Sequence, residues 1–138
     1  MSANLDLVRS IYAAWERNDW SSVEWADPEI EYVHADGPDA GNWNGVLGMT
    51  NAFRGMLSAW EQWRVTPEEY LELDDERVLV PYHFSARGKT SGLEVGQMRT
   101  SGLSLFHVRD GKVTKIVQYM GRDRALADLG LTKEGESA

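Results

Sequence analysis

Apolar residues recur at helical spacing near the start of the chain, where Leu5, Val8, Ile11, Tyr12 and Trp15 form one stripe. That period is the mark of an amphipathic helix with one face turned to a core. Asn4 or Ser2 can cap it, and Asn18-Asp19 stops it. Ser21 or Ser22 with Glu24 predicts a short second helix through Val23 and Trp25, ended by Pro28. Ile30 to His34 alternates like a short strand, and Asp36 to Gly45, rich in Gly, Pro, Asp and Asn, predicts a loop. Thr50 or Asn51 opens a further helix whose apolar stripe is Phe53, Met56, Leu57 and Trp60.

From Trp63 onward the pattern is that of strands. Trp63 to Leu73 is the first, with Pro67 pointing to an edge or a bulge. Asp74-Asp75-Glu76 is a turn, Arg77 to Lys89 the next strand, and Thr90-Ser91-Gly92 the next turn. Leu93 to Val108 is long enough to need a bend, for which Gly96 and Gly102 are natural places. Asp110-Gly111 between two apolar runs is a strong hairpin signal, because the turn needs positive φ and glycine adopts it without steric cost. Val113 to Met120 is the last strand, Ala125 to Leu131 a short helix, and the polar tail from about residue 132 to 138 a frayed end. Helices first and a strand meander after predict an α+β fold, a curved and mostly antiparallel sheet with helices on its concave face. Residues 1–138 read as one domain, and the enclosed space is the natural ligand site.

Composition narrows the partners. The formal charge of −8 disfavours nucleic-acid phosphates and anionic membranes. No apolar run approaches the roughly 18 residues a membrane helix needs, and the first residues lack the basic and apolar regions of a signal peptide. Cysteine is absent, which removes disulfides, thiol nucleophiles and thiolate metal sites and fits a reducing, cytoplasmic setting. Three histidines without close ligand spacing predict no metal. Six tryptophans, all in the first half, either fill the core or line a cavity.

Several segments together resemble the SnoaL-like family. They are Trp15-Glu16-Arg17-Asn18-Asp19-Trp20, Ala26-Asp27-Pro28-Glu29-Ile30, the pair Ser91-Gly92, and Val108-Arg109-Asp110-Gly111-Lys112-Val113 with Tyr119, Arg122 and Ala125 to Leu131 downstream. This family belongs to a cone-shaped superfamily that includes ketosteroid isomerase, scytalone dehydratase, limonene epoxide hydrolase and nuclear transport factor two. The resemblance implies three helices and a sheet forming a cone with an internal cavity, and a homodimer through the outer sheet face. It names the architecture more sharply than the activity, because such folds carry many chemistries.

Candidate site residues follow from alternation and from this resemblance. Thr114, Ile116, Gln118 and Met120 share one face of the last strand, and the hairpin places Met98, Thr100, Gly102, Ser104 and Phe106 on the same side. The resemblance gives Gln118 the position of the acid/base carboxylate of the cyclases, and Ser104 and Ile11 those of the two oxyanion donors of the isomerase. An amide cannot exchange a proton near neutral pH, so Gln118 either orients a ligand or bonds a neighbouring side chain. His34, near where isomerases keep their base, is the remaining candidate base, with Asp36 close enough in sequence to orient it; otherwise it is a histidine ending a strand. His83 and His107 alternate outward. Gly41 to Gly45, with Trp43 inside, reads as a flap over the mouth or as a surface loop.

These observations predict catalytic roles for His34, Gln118 and Tyr32. They predict ligand contacts from Tyr12, Trp15, Trp60, Tyr82, Met98, Ser104, Phe106, Ile116 and Met120. The ligand is a small, mostly apolar molecule, and the chemistry is cofactor-free proton transfer of the isomerase, cyclase or dehydratase kind. The alternative is a ligand-binding or dimeric interaction module without catalysis.

Overall fold

The computed structural model describes residues 3–17, 19–20, 23–36, 40–88 and 98–130, with the backbone alone for 56–63, 86–88, 98–100 and 122. The expected turn at Thr90-Ser91-Gly92, the bend at Gly96 and the frayed tail lie outside the described residues, as do Ser21 and Ser22. In chain order the elements are α1 (Ala3–Glu16), β1 (Ala26–His34), β2 (Gly41–Asn44), α2 (Gly45–Ala59), β3 (Trp60–Pro67), β4 (Leu71–Asp74), β5 (Arg77–Gly88), β6 (Met98–Arg109), β7 (Lys112–Tyr119) and α3 (Arg122–Asp128). Seven strands form one curved, unclosed sheet in the order β2-β1-β7-β6-β5-β3, with β4 also on β5. Every pairing is antiparallel except β1 with β7.

The stripe on α1 is buried as its spacing demands: Val8, Ile11, Tyr12 and Trp15 are at most 3% exposed. A helix this short is held by packing more than by propensity. Each large aliphatic or aromatic side chain removed from water contributes roughly 1.5–3 kcal/mol. α1 lies against β3 and β5, and α2 against β1, β2 and β3. Their apolar faces meet the concave face of the sheet in a core that includes Ile30, Tyr32, Phe53, Val80, Phe106, Val108 and Ile116. α3 packs elsewhere: Ala125 joins Leu79, Leu103, Leu105, Val117 and Tyr119 on the opposite face.

Several local readings change. No helix forms at Val23-Glu24-Trp25, which is a turn leading into β1. Pro28 does not end an element but lies inside β1, in the irregular stretch between Ala26 and Glu31 where the pairing with β7 shifts register. A missing N–H is tolerated where the ladder is already interrupted. Gly41–Asn44 is an edge strand paired with β1 rather than a loop, and α2 starts directly after it at Gly45 (φ 77°), well before Thr50. Trp60 belongs to β3, not to the helix. Pro67 closes β3, so the single strand read from Trp63 to Leu73 is two.

The hairpin at Asp110-Gly111 has both residues at positive φ, 53° and 76°. A second irregularity falls between His107 and Val108 in the pairing of β6 with β7. It turns Val113 into the concave core beside Val108, against simple alternation with Ile116.

A candidate ligand pocket with a hydrogen-bonded floor

Strand register assembles the polar centre of the pocket. Gln118 on β7 lies beside His34 on β1 and Ser104 on β6, while Tyr82 on β5 pairs with Gly102 one step further along the sheet. Ser104 is fully buried, and its Oγ donates to Gln118 Oε1 at 2.5 Å. The Tyr82 hydroxyl donates to the same oxygen at 3.2 Å. With two hydroxyls donating to it, the amide presents its oxygen to Ser104 and Tyr82 and its nitrogen to Tyr32. Gln118 Nε2 lies 3.5 Å from the Tyr32 hydroxyl, which is in turn 3.2 Å from His34 Nε2. With its oxygen accepting from the amide, Tyr32 is free to donate its own proton to His34 Nε2.

Burial raises the pKa of each surrounding phenol. The Tyr82 hydroxyl is pushed up to about 12 by desolvation, and the Tyr32 and Tyr12 hydroxyls are raised well above the ordinary value for the same reason. These phenols therefore stay protonated near neutrality and act as donors. The Tyr12 hydroxyl is near enough to Ser104 for that neighbour to offset part of its shift, yet no hydrogen bond of acceptable distance and angle joins them.

Gly102 makes this arrangement possible. A Cβ at this position would stand 2.8 Å from the Tyr82 hydroxyl, 2.9 Å from its Cζ and 2.8 Å from the Tyr119 carbonyl oxygen. The Tyr82 side chain crosses β6 over this glycine to reach Gln118 on the strand beyond. In the sequence Gly102 stood out as a place for a bend; here it provides clearance.

The pocket of about 100 Å³ is lined by Tyr12, Trp15, Trp20, Tyr32, His34, Asp36, Phe53, Val65, Tyr82, Phe84, Ser104, Gln118 and Met120. Its aromatic wall is continuous. Trp15 stacks on Trp20 with centroids 5.1 Å apart, Phe53 meets Trp20 edge-on at 5.6 Å, and Tyr32 meets Phe53 at 5.2 Å. His34 sits edge-on to both Tyr32 and Trp43, each at 5.1 Å. Trp43 thus supports the candidate base from a paired edge strand, not from a flap. Met120, 45% exposed, stands at the rim.

Of the expected site residues, His34, Gln118, Tyr32, Tyr12, Trp15, Tyr82, Ser104 and Met120 all face this one space. Phe106 and Ile116 are fully buried in the core behind it and do not line it; Phe106 packs against Tyr12 and Trp15, which do. The side chains of Trp60 and Met98 lie outside the described residues. Asp36 does not lie in wait for His34: its carboxylate accepts from the backbone N–H groups of Met120 and Gly121 at 2.7 and 3.1 Å, tying the end of β1 to the end of β7. Trp20, Phe53, Val65 and Phe84 were missed as lining residues. Their signals were faint: Phe53 lay in the helical stripe, and Val65 and Phe84 are cross-strand partners only once β3 pairs with β5.

His83 and His107 stand on the other face. His83 pairs with Glu68 at 2.5 Å, and the half-buried His107 has its pKa lowered by desolvation and by Lys115 and Arg77. Among the described residues no three metal-ligating side chains cluster.

A family model described as a SnoaL-like domain matches residues 8–116. The chain belongs to the SnoaL-like family. No curated protein matches it significantly in sequence. Solved structures share the nuclear transport factor two-like fold. TerC, co-crystallised with polyporic acid, is 21% identical with a TM-score of 0.72, covering 94% of this chain and 98% of its own. A protein of unknown function from Burkholderia pseudomallei is 19% identical with a TM-score of 0.76, covering 92% and 97%. A candidate polyketide cyclase from Xanthomonas campestris pv. campestris is 21% identical with a TM-score of 0.68, covering 91% and 95%. At these identities the likeness carries the fold and leaves activity to the site. Among the described residues, no helix is long and apolar enough to cross a membrane.

Proposed function

We propose that this SnoaL-like protein takes a small, mostly apolar molecule into the cone and moves a proton on it without a cofactor, as an isomerase, cyclase or dehydratase does. The observation that carries the reading is the chain from Gln118 through Tyr32 to His34 Nε2, partly buried in a pocket lined by aromatic side chains. His34 is the base. Tyr32 passes the proton between the ligand and the imidazole, leaving each oxygen and nitrogen with its original complement after a full cycle. Gln118 holds Tyr32 in place and cannot itself exchange a proton. Neighbours that bear polyketide cyclase names or were co-crystallised with polyporic acid are consistent with a small-molecule substrate of the polyketide kind.

The test is a thermal-shift screen of polyketide-like aromatics, steroids and terpenoids, followed by turnover assays on the ligands found. His34→Ala should lower kcat by 10²–10⁴-fold, the usual range for a general base. Gln118→Ala should lower it less. Unchanged rates in both variants rule out this site.

A second reading, binding without turnover, is favoured by one observation: the position that faces Ser104 and Tyr82 is an amide rather than a carboxylate. Ligand binding with no product formed over hours would decide for it. For the remaining calls, we place the protein in the cytoplasm on the absence of cysteine. We place a homodimer contact on the outer sheet face on the family resemblance, to be read by light scattering.

A further inference from the structure

Asp36 is the one acidic side chain among the described residues that line the pocket, and no Lys or Arg lines it with Asp36. Apart from His34, the rest of the wall is uncharged, with seven aromatic rings making up most of it. The Asp36 carboxylate is half-buried, and its two oxygens accept from the N–H groups of Met120 and Gly121 at 2.7 and 3.1 Å. Those backbone dipoles fix the group at the rim beside Met120, but they carry no net charge to cancel its own. No cationic side chain among the described residues forms an ion pair with it. Its field reaches the floor of the pocket: the Tyr82 phenol, raised chiefly by burial, is raised further by the charge on Asp36.

A cation and an anion built on the same apolar body each lose hydration on entering such a site. The sign of the local field then decides between them. A charge acts through space in every direction, so this selection needs no aimed hydrogen bond. We infer that Asp36 is the specificity-determining residue for charge, holding the pocket to uncharged or cationic ligands and turning carboxylates away. The net charge of −8 acts in the same direction at longer range, where salt screens it. At an effective dielectric near 20, a unit charge about 10 Å from Asp36 is favoured or disfavoured roughly 15-fold. Half-exposure of the carboxylate brings the expected factor down to roughly three- to tenfold. The inference rests on the reading of the cone as a ligand pocket and adds the charge class of the substrate. It also suits the proposed chemistry. A substrate that enters uncharged and gives a proton to His34 carries one negative charge during the reaction, whereas a carboxylate substrate would carry two in the field of Asp36.

The experiment is isothermal titration calorimetry of the full chain at pH 7.5 and low salt, with three probes on one ring system: 1-naphthalenemethanol, 1-naphthylmethylammonium and 1-naphthoate. Wild type is expected to bind naphthoate roughly tenfold or more weakly than the ammonium. In Asp36→Asn naphthoate should tighten by roughly three- to tenfold and the ammonium weaken by a similar factor, so their affinity ratio falls by roughly ten- to a hundredfold. The alcohol should shift least, by less than about twofold, and reports that the pocket is intact. Asp36→Ser, which also keeps an oxygen acceptor without the charge, should reproduce these changes and serves if the asparagine variant is distorted. Asp110→Asn removes one negative charge at the exposed hairpin, where φ is 53° and asparagine is tolerated, and should leave the ratio as in wild type. Three results overturn the inference while binding of the alcohol keeps the pocket reading: naphthoate matching the ammonium in wild type, a ratio unmoved in the Asp36 variants, or an equal shift in Asp110→Asn. The first of these needs no variant to fold. Failure of all three probes to bind overturns the pocket reading and the inference with it.

Discussion

Replacing Gly102 by alanine tests how the floor of the pocket is built. The new Cβ would lie 2.8 Å from the Tyr119 carbonyl oxygen, 2.8 Å from the Tyr82 hydroxyl and 2.9 Å from Tyr82 Cζ. All three are closer than carbon tolerates. The Tyr119 oxygen belongs to a strand backbone and cannot step aside cheaply. Tyr82 is 7% exposed and packed against Tyr12 and Phe84, so its ring can move only by disturbing the aromatic wall. Overpacking of this kind costs about 1–3 kcal/mol. Displacing Tyr82 also breaks its bond to Gln118, worth about 0.5–1.5 kcal/mol. The sum is about 1.5–4.5 kcal/mol, which for a chain of this length lowers Tm by roughly 5–16 °C. Urea unfolding monitored by tryptophan fluorescence gives the free energy directly. A double-mutant cycle locates it: in a Tyr82→Ala background two of the three clashes vanish, so the penalty of Gly102→Ala should fall by about half or more. A loss below about 0.5 kcal/mol, or one of the same size with and without Tyr82, would refute the clearance argument.

Alkaline pH should destabilise the fold through its tyrosines. All five have raised pKa values, with burial the largest cause in each. For Tyr82, with a folded value of about 12 against 10.0, the stabilisation is complete below pH 10 and is lost as pH rises towards 12. Melts between pH 8 and 12 should show a falling Tm, less steeply in Tyr82→Phe, and phenolate absorbance should appear together with unfolding rather than before it. Asp36→Ala should cost about 1–3 kcal/mol by releasing the Met120 and Gly121 N–H groups, while Asp36→Asn, which keeps one acceptor, should cost less. Chemical denaturation of the two variants side by side checks that order.

Much of the architecture was legible because it rests on local pattern. The stripe on α1, the alternation along β6 and β7 and the turn at Asp110-Gly111 each depend on residues a few positions apart. The resemblance then supplied the order of the layers. The errors came where tertiary contacts override local signals. Pro28 breaks a ladder only if the ladder needs its N–H, and the shifted pairing of β1 with β7 does not. Gly41 to Asn44 looks like loop because nothing in its own sequence announces an edge strand; it becomes one by pairing with β1.

The sequence by itself determined which residues can carry chemistry: one histidine near a strand end, a glutamine in place of an acid, and no thiol. It also determined the hairpin that brings Ser104 opposite Gln118. Only the tertiary structure decided what these groups do together. The parallel pairing of β1 with β7 sets His34 beside Gln118, and the gap at Gly102 lets Tyr82 reach across a strand. The same packing buries the Tyr12 hydroxyl and the Trp20 indole nitrogen without a hydrogen-bond partner among the described residues. Hydrogen-bond partnership over separations such as Tyr32 to Gln118 depends on register between distant strands, and register is a property of the assembled sheet rather than of any one segment.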